Sequence, residues 1–415
     1  MSYVIPILGL LGLILIHELG HFTAAKATGM RALKFYVGFP PALVKRRRGE
    51  TEYGIGVVPL GGFVKIPGML RPEPSDLWAV DELARSEHLP AEQAARIGIA
   101  GDEIGRLLAH GRVDDAASAA VELRQMVEAA GDASALERRR AVRSLDRLIE
   151  SSDTRGYWRS RRRSRLIVIG AGPATNIVFA FVLLVTLAAT GLPQPLQPEP
   201  VVAGLERGLP AQKAGLRTGD RIVAVEGRTI HSFDQLHALI SGSKGRPVDV
   251  RVRRGGRVVD LGPITPVRQG GRYIVGFIPD ALATTRSVAV WHAPGEALSQ
   301  MWSMISGSVS GIRSQGTSSL SSPVGIVRVS ASAADTGAPY YLWLLAYISL
   351  SLGILNLLPF LPLDGGHILL LALERVRGRA LSRGTFERVS AFGIALVLLL
   401  FLLGLHNDLL GAQPR

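Results

Sequence analysis

Long apolar runs alternate with polar stretches along this chain. Residues 4–16 carry no charge and almost nothing polar, and the apolar character resumes at Phe22, Thr23, Ala24 and Ala25. A run of that length crosses a bilayer as one helix of about 20 residues. It predicts a first span within residues 1–29, closed by Gly29. Residues 30–71 follow another pattern. Gly and Pro punctuate short β-type runs at 34–37 and 51–58, so a hairpin or small sheet should turn at the basic cluster 45–48. Lying next to a span, this apolar element fits the bilayer edge if protein shields its backbone. An open edge there would take an unwound chain by strand addition; a plain structural cap is the alternative.

Residues 72–158 are rich in Ala, Glu, Arg and Leu, with helical periodicity over 114–130 and 136–151. They read as a soluble helical insertion without chemistry, and its His88 and His110 as surface residues. An Arg-rich run, 159–165, then opens a second span within 159–193. A Pro-rich linker follows. Residues 200–280 are soluble and β-rich. The stretch GLPAQKAGLRTGDRIVAVEGRT at 208–229, with a helix expected over 231–240 and a strand over 248–253, resembles a PDZ domain. Domains of that kind take extended chain ends. Across 281–338, the spacing of Trp291, Leu298, Met301, Trp302 and Ile305 predicts an amphipathic helix at the membrane surface. A third span within 339–378 is broken around Pro359, Pro362, Gly365 and Gly366, and a fourth lies within 388–407.

The expected fold is thus a multi-pass α-helical membrane protein. It has four spans, a membrane-associated β element, a helical cytoplasmic insertion and an extracytoplasmic PDZ-like α/β domain. The orientation comes from charge. Residues 159–165 and the group Glu374, Arg375, Arg377 and Arg379 mark cytoplasmic ends by the positive-inside rule. That puts the N-terminus and the PDZ-like domain outside.

Composition changes the picture in three ways. Apolar residues make up 47% of the 415 and the mean hydropathy is +0.25, so part of the apolar surface faces lipid. The net charge of +13 would suggest nucleic acid in a soluble protein. Here the Arg clusters flank spans, and anionic lipid and topology account for them instead. With no Cys, neither a disulfide nor a thiolate ligand is available, so any metal must be held by His, Asp or Glu. The apolar N-terminus lacks the basic start and cleavage site of a signal peptide and reads as a retained span.

The first span carries the chemistry. His17–Glu18–Leu19–Gly20–His21 puts two imidazoles four residues apart on one helix face, with a Glu between them. This is the zinc-and-base pattern of a metalloprotease. A charge at mid-membrane costs roughly 2.5–3.5 kcal/mol on insertion scales, and a shared zinc ion would offset it; a helix end meeting water is the bland reading. Catalytic zinc takes a third protein ligand. Asp364, a lone carboxylate in the broken third span, is the leading candidate. His367 competes, or else supports a ligand by a hydrogen bond, and Glu374 belongs with the Arg residues. Glu18 would take a proton from the attacking water and pass it to the leaving amine. In the second span, Asn176 of Gly172–Pro173–Ala174–Thr175–Asn176 could simply bond a neighbouring helix.

The ordered set resembles the site-2 protease family of intramembrane zinc metalloproteases. It comprises HELGH, TEYGIGVVPLGGFVKIPGM at 51–69, GPATN at 172–176, one PDZ-like domain and NLLPFLPLDGG at 356–366. Only the insertion lies outside the resemblance. It implies that His17, His21 and Asp364 bind Zn2+, that Glu18 is the catalytic base, and that Asn176 and Asn356 hold substrate backbone. It also implies a bacterial inner-membrane enzyme that cuts single-span proteins, such as anti-sigma factors, after a first extracytoplasmic cut. Two other classes remain in view. An inactive PDZ scaffold would lack a ligand or the base, and none is missing. A metal transporter would need neither Glu18 beside the first His nor a PDZ domain.

Overall fold

The computed structural model describes all residues except 1–2, 132, 196, 207, 270–271, 316–321, 379–382 and 411–415. Arg379, expected at a cytoplasmic end, lies outside the described residues. In chain order, the first helix is α1 (Val4–Ala27), followed by strands β1 (Lys34–Arg48) and β2 (Thr51–Lys65). Four helices come next: α2 (Trp78–Ala84), α3 (Ala91–Ala109), α4 (Val113–Ala129) and α5 (Ala135–Ser151). The long helix α6 (Arg162–Thr190) leads to β3 (Leu192–Pro193), β4 (Gln197–Leu205), α7 (Pro210–Lys213), β5 (Arg221–Val225) and β6 (Arg228–Thr229). Then come α8 (Phe233–Gly242), β7 (Val248–Arg254), β8 (Arg257–Ile264), β9 (Val267–Gln269), β10 (Arg272–Ile274), β11 (Phe277–Leu282) and β12 (Thr285–Arg286). The chain closes with α9 (Ala293–Gln315), α10 (Pro323–Thr336), α11 (Ala338–Asn356), α12 (Asp364–Arg377) and α13 (Arg383–Leu410). Two compact units result: residues 1–186 with 291–415, and residues 187–290.

In the first unit, α1, α6, α11 and α13 are long and apolar enough to cross a membrane. At 1.5 Å per residue, the 24 residues of α1 span roughly 36 Å. Gly29, at φ +79°, ends this helix in the left-handed region that glycine occupies without a Cβ penalty. The helices meet through small residues. A Cβ on Gly20 of α1 would stand 2.6 Å from the Ala171 carbonyl oxygen of α6, and one on Gly353 of α11 would stand 2.9 Å from the Pro173 carbonyl oxygen. Backbones this close are what small residues at interhelical contacts permit. Ser349 of α11 donates to the Asn176 carbonyl at 2.9 Å. The third span is interrupted: α11 stops at Asn356, and seven residues of loop separate it from α12. Helix α9 docks on two of these helices. Its Ala297 and Met304 pack with Ala180 and Leu184 of α6 and Ala346 and Leu350 of α11. Leu298, Trp302 and Val309 on α9 remain exposed.

Strands β1 and β2 fold around each other. Residues 34–37 have partners on two sides, Glu52 to Ile55 and Lys65 to Gly62, while Ala42–Arg48 faces Gly56–Thr51. The half of β1 beyond Gly38 is exposed and carries Phe39, Leu43 and Val44.

Helices α2–α5 have their own core, with Val80, Leu83, Ile104, Leu123, Leu145 and Leu148 almost wholly buried. This helical group is tied to the end of α1 and to the sheet. Arg31 pairs with Asp153 at 2.7 Å, the Pro67 carbonyl accepts from Tyr157 N–H at 2.8 Å, and Glu50 takes both Lys26 and Arg155.

In the second unit, five strands run in the order β11-β4-β5-β7-β8, with β6 added to β5. Ile222, Val225, Leu236, Val250 and Val252 form its core with Val202 and Ile264. The strand expected at 248–253 coincides with β7, and the helix expected at 231–240 overlaps α8.

Candidate metal centre

Helix α1 presents His17 and His21 on one face, with their rings edge to face and centroids 4.9 Å apart. Their Nε2 atoms are 3.2 Å from each other. The Asp364 Oδ2 atom lies 3.2 Å from His17 Nε2 and 3.4 Å from His21 Nε2. Asp364 is the first residue of α12, and the two glycines after it explain how it gets there. A Cβ on Gly365 would run into the Leu357 and Leu358 carbonyls, and one on Gly366 would be 2.5 Å from Leu361 N. Only glycines let the loop 357–363 fold back this tightly over the start of α12.

The three atoms fit a metal. Tetrahedral zinc with bonds of about 2.0–2.1 Å keeps its ligand atoms roughly 3.3–3.4 Å apart, close to the three separations found. Asp364 Oδ2 is buried with no hydrogen-bond partner among the described residues, a costly state for a carboxylate oxygen unless a cation meets it. Among the described residues these three form the group of His and acidic side chains able to share one ion. His21 Nδ1 lies 2.7 Å from the Val168 carbonyl oxygen on α6. Gly172 leaves space for the rings: a Cβ there would be 2.8 Å from His17 Nε2 and would also collide with His21.

Glu18, next on α1, is 9% exposed. Its carboxylate hydrogen-bonds the backbone of Val64 in β2, and a Cβ on Gly62 would be 2.7 Å from Glu18 Cγ. The strand therefore passes directly over the carboxylate. Residues 62–65 have their ladder partners in 34–37. Beside this segment is a cavity of about 440 Å³, walled by Phe63–Leu70 of β2 and the following loop and by Arg147 and Glu150 of α5.

The remaining expected residues fall in different places. Asn176 is wholly buried, and its side chain lies against His17 Nδ1 at 3.3 Å rather than facing open space. Asn356 ends α11 and donates to the Leu352 carbonyl of its own helix at 3.1 Å. His367 is not in the three-residue group; its ring sits 5.8 Å from that of Phe386. Glu374 pairs with Arg165 at 3.2 Å, joining the ends of α12 and α6. The sequence reading missed Gly62, Val64 and Val168. The only written signal was the pair Gly61–Gly62, since the other contacts use backbone atoms.

Along its length the chain is similar to known zinc metalloproteases. The model of peptidase family M50 matches residues 5–400. The regulator of sigma-E protease RseP of Escherichia coli K12 is 30% identical, over 95% of each chain. The zinc metalloprotease RasP of Geobacillus kaustophilus is 29% identical, covering 96% of this chain and 95% of its own. A putative zinc metalloprotease of Neisseria meningitidis serogroup A is also 29% identical, over 97% of both.

Proposed function

The chain belongs to peptidase family M50, the site-2 protease family of zinc metalloproteases, and on that premise we propose that it hydrolyses a peptide bond within or beside the membrane segment of single-span proteins. One observation carries the reading. His17, His21 and Asp364 converge on a single point next to Glu18, and both imidazoles and Glu18 stand on α1, a helix long and apolar enough to cross a membrane.

In this reading His17, His21 and Asp364 hold the ion. Bound zinc supplies a Lewis acid that polarises the scissile carbonyl and makes water nucleophilic at neutral pH. Glu18 takes the proton of the attacking water and delivers it to the departing amine. A peptide bond inside a helix is shielded by its own hydrogen bonds, so the substrate must unwind. Each backbone group left unpaired in hydrocarbon costs several kcal/mol. The 62–65 edge over Glu18 answers that cost by strand addition, and Asn356 offers an amide once it releases Leu352.

The Arg-rich ends of α6 and α12 face the cytoplasm in this scheme, as does the helical insertion. The 187–290 unit acts outside as a PDZ-like filter, admitting chains already trimmed by a first cut. Membrane-anchored regulators such as anti-sigma factors are the expected substrates, in line with the sigma-E regulation named for the Escherichia coli relative. Quantitative proteomics on membranes with wild-type or Glu18→Gln protein tests the proposal. Truncated single-span stubs should accumulate only with the variant; identical stub profiles would overturn it.

A further inference from the structure

Asn176 side-chain atoms make an unusual set of contacts. The residue has no exposed surface. Its amide nitrogen is placed 3.3 Å from His17 Nδ1, and its Oδ1 is buried with no partner among the described residues. His17 Nε2, at the other side of the ring, points at His21 Nε2 and Asp364 Oδ2.

A neutral imidazole has one N–H and one bare nitrogen. If Nε2 binds a metal it must be bare, so Nδ1 carries the hydrogen and needs an acceptor. An NH2 group facing Nδ1–H would set donor against donor. The two ends of an Asn amide exchange places by a half-turn about the last side-chain bond, and the network decides which end faces where. With Oδ1 turned to Nδ1–H, the bond is restored and Nε2 is left bare. The placement as it stands suits the opposite tautomer: Nδ2–H donates to Nδ1, and Nε2–H donates to the bare Nε2 of His21 at 3.2 Å. The ring is neutral in both states, one proton leaving Nε2 and one arriving at Nδ1.

We propose that Asn176 is a positioning residue whose amide turns over when the metal binds, selecting the tautomer of His17 that can act as ligand. It does for His17 what the Val168 carbonyl does for His21. The difference is that a backbone carbonyl can only accept, whereas the amide can serve either state. The proposal rests on the metal-site reading and reassigns Asn176 from holding substrate to holding a ligand. Partners of this kind, bonded to metal-binding imidazoles, are worth about 10–100-fold in metal affinity.

The test compares full-length wild type, Asn176→Leu and Asn176→Asp in detergent. Zinc affinity is measured by chelator competition, and the His17 tautomer by 15N NMR without metal. Asn176→Leu should lose 10–100-fold in affinity while its apo form melts as wild type does. Asn176→Asp, which can only accept, should retain the ion and shift apo His17 toward the Nδ1–H form. Should Asn176→Leu not fold, the Asn176→Asp tautomer decides the matter alone. Wild-type zinc affinity in Asn176→Leu with only KM raised would overturn the inference and return the residue to substrate holding. An unchanged tautomer in Asn176→Asp would overturn it too. Absence of zinc from the wild type would instead bring down the metal-site reading, and this inference with it.

Discussion

His21 Nδ1 and the Val168 carbonyl oxygen stand 2.7 Å apart, joining α1 to α6 beside the candidate metal centre. A carbonyl oxygen can only accept, so Nδ1 must carry the hydrogen and Nε2 keeps its lone pair toward Asp364. The second helix thereby sets which nitrogen of the first is free for a metal. The contact depends on close approach of the two helices, and close approach depends on Gly20 and Gly172.

Gly172→Ala tests that dependence. The new Cβ would lie 2.8 Å from His17 Nε2 and inside contact distance of His21. Neither ring has room to retreat, because His17 is 8% exposed and His21 is tethered to Val168. The expected result is at least about a tenfold loss of zinc affinity by chelator competition, in line with the cost of disturbing groups around metal ligands.

Gly62→Ala should behave differently. Its Cβ would meet Glu18 Cγ and the Tyr36 carbonyl oxygen, both at 2.7 Å, without touching a ligand. Zinc should be retained, while turnover falls by about 10²-fold or more, the scale of contribution made by a positioned general base. Parallel metal analysis and peptide-bond cleavage separate the two glycines.

These two positions also show what a one-dimensional reading captures. The imidazole pair was legible because a helix converts a four-residue interval into one face, and α1 is apolar enough to leave no doubt about helix. Asp364 was legible as a lone acid in an apolar, Gly- and Pro-broken segment. The contacts that orient these groups were not. Val168 and Val64 act through backbone atoms, which every residue type shares, so nothing in their side chains announces the role. For Asn176 the resemblance implies substrate holding, while an amide in a span by itself asks only for a partner on a neighbouring helix; the sequence does not say that this partner is His17. The double flanking of residues 34–37 was hidden too, since strand periodicity gives a face but not a neighbour. Helix α9 was legible as a half-apolar helix, but its docking on Leu184 and Leu350 depends on tertiary packing.

In the second unit, Asp220 is 1% exposed and receives both Nε and a terminal nitrogen of Arg254, at 2.7 and 2.6 Å. Chiefly through those bonds, Arg254 holds the Asp220 carboxyl below its ordinary range. A carboxyl with a depressed folded-state value adds stability above its unfolded value and loses it as the pH falls through the folded one. Strands β5 and β7 should therefore become exchange-labile in acid. Asp220→Asn should give up roughly 1.5–3 kcal/mol at neutral pH and flatten the acid dependence. Hydrogen–deuterium exchange on the full chain reads both effects.

Glu50 joins three segments: it takes Lys26 at the end of α1 and Arg155 after α5, with Arg31 at 3.6 Å. These groups are partly exposed, and pairs of that kind contribute about 0–1 kcal/mol. Glu50→Gln should therefore leave overall stability within about 1 kcal/mol and zinc content unchanged. Its effect should be local, as faster amide exchange over residues 153–158, where the helical insertion meets the sheet.

One ion shared by α1 and α12 is what the proposed chemistry requires. X-ray absorption at the zinc edge, on the purified full-length protein and on Asp364→Ala, examines that directly. The wild type should hold about one zinc with a low-coordinate nitrogen and oxygen shell at about 2.0–2.1 Å and outer scattering from two imidazoles. The variant should lose a light ligand and most of its zinc. An identical spectrum and full metal content in Asp364→Ala would contradict the shared site.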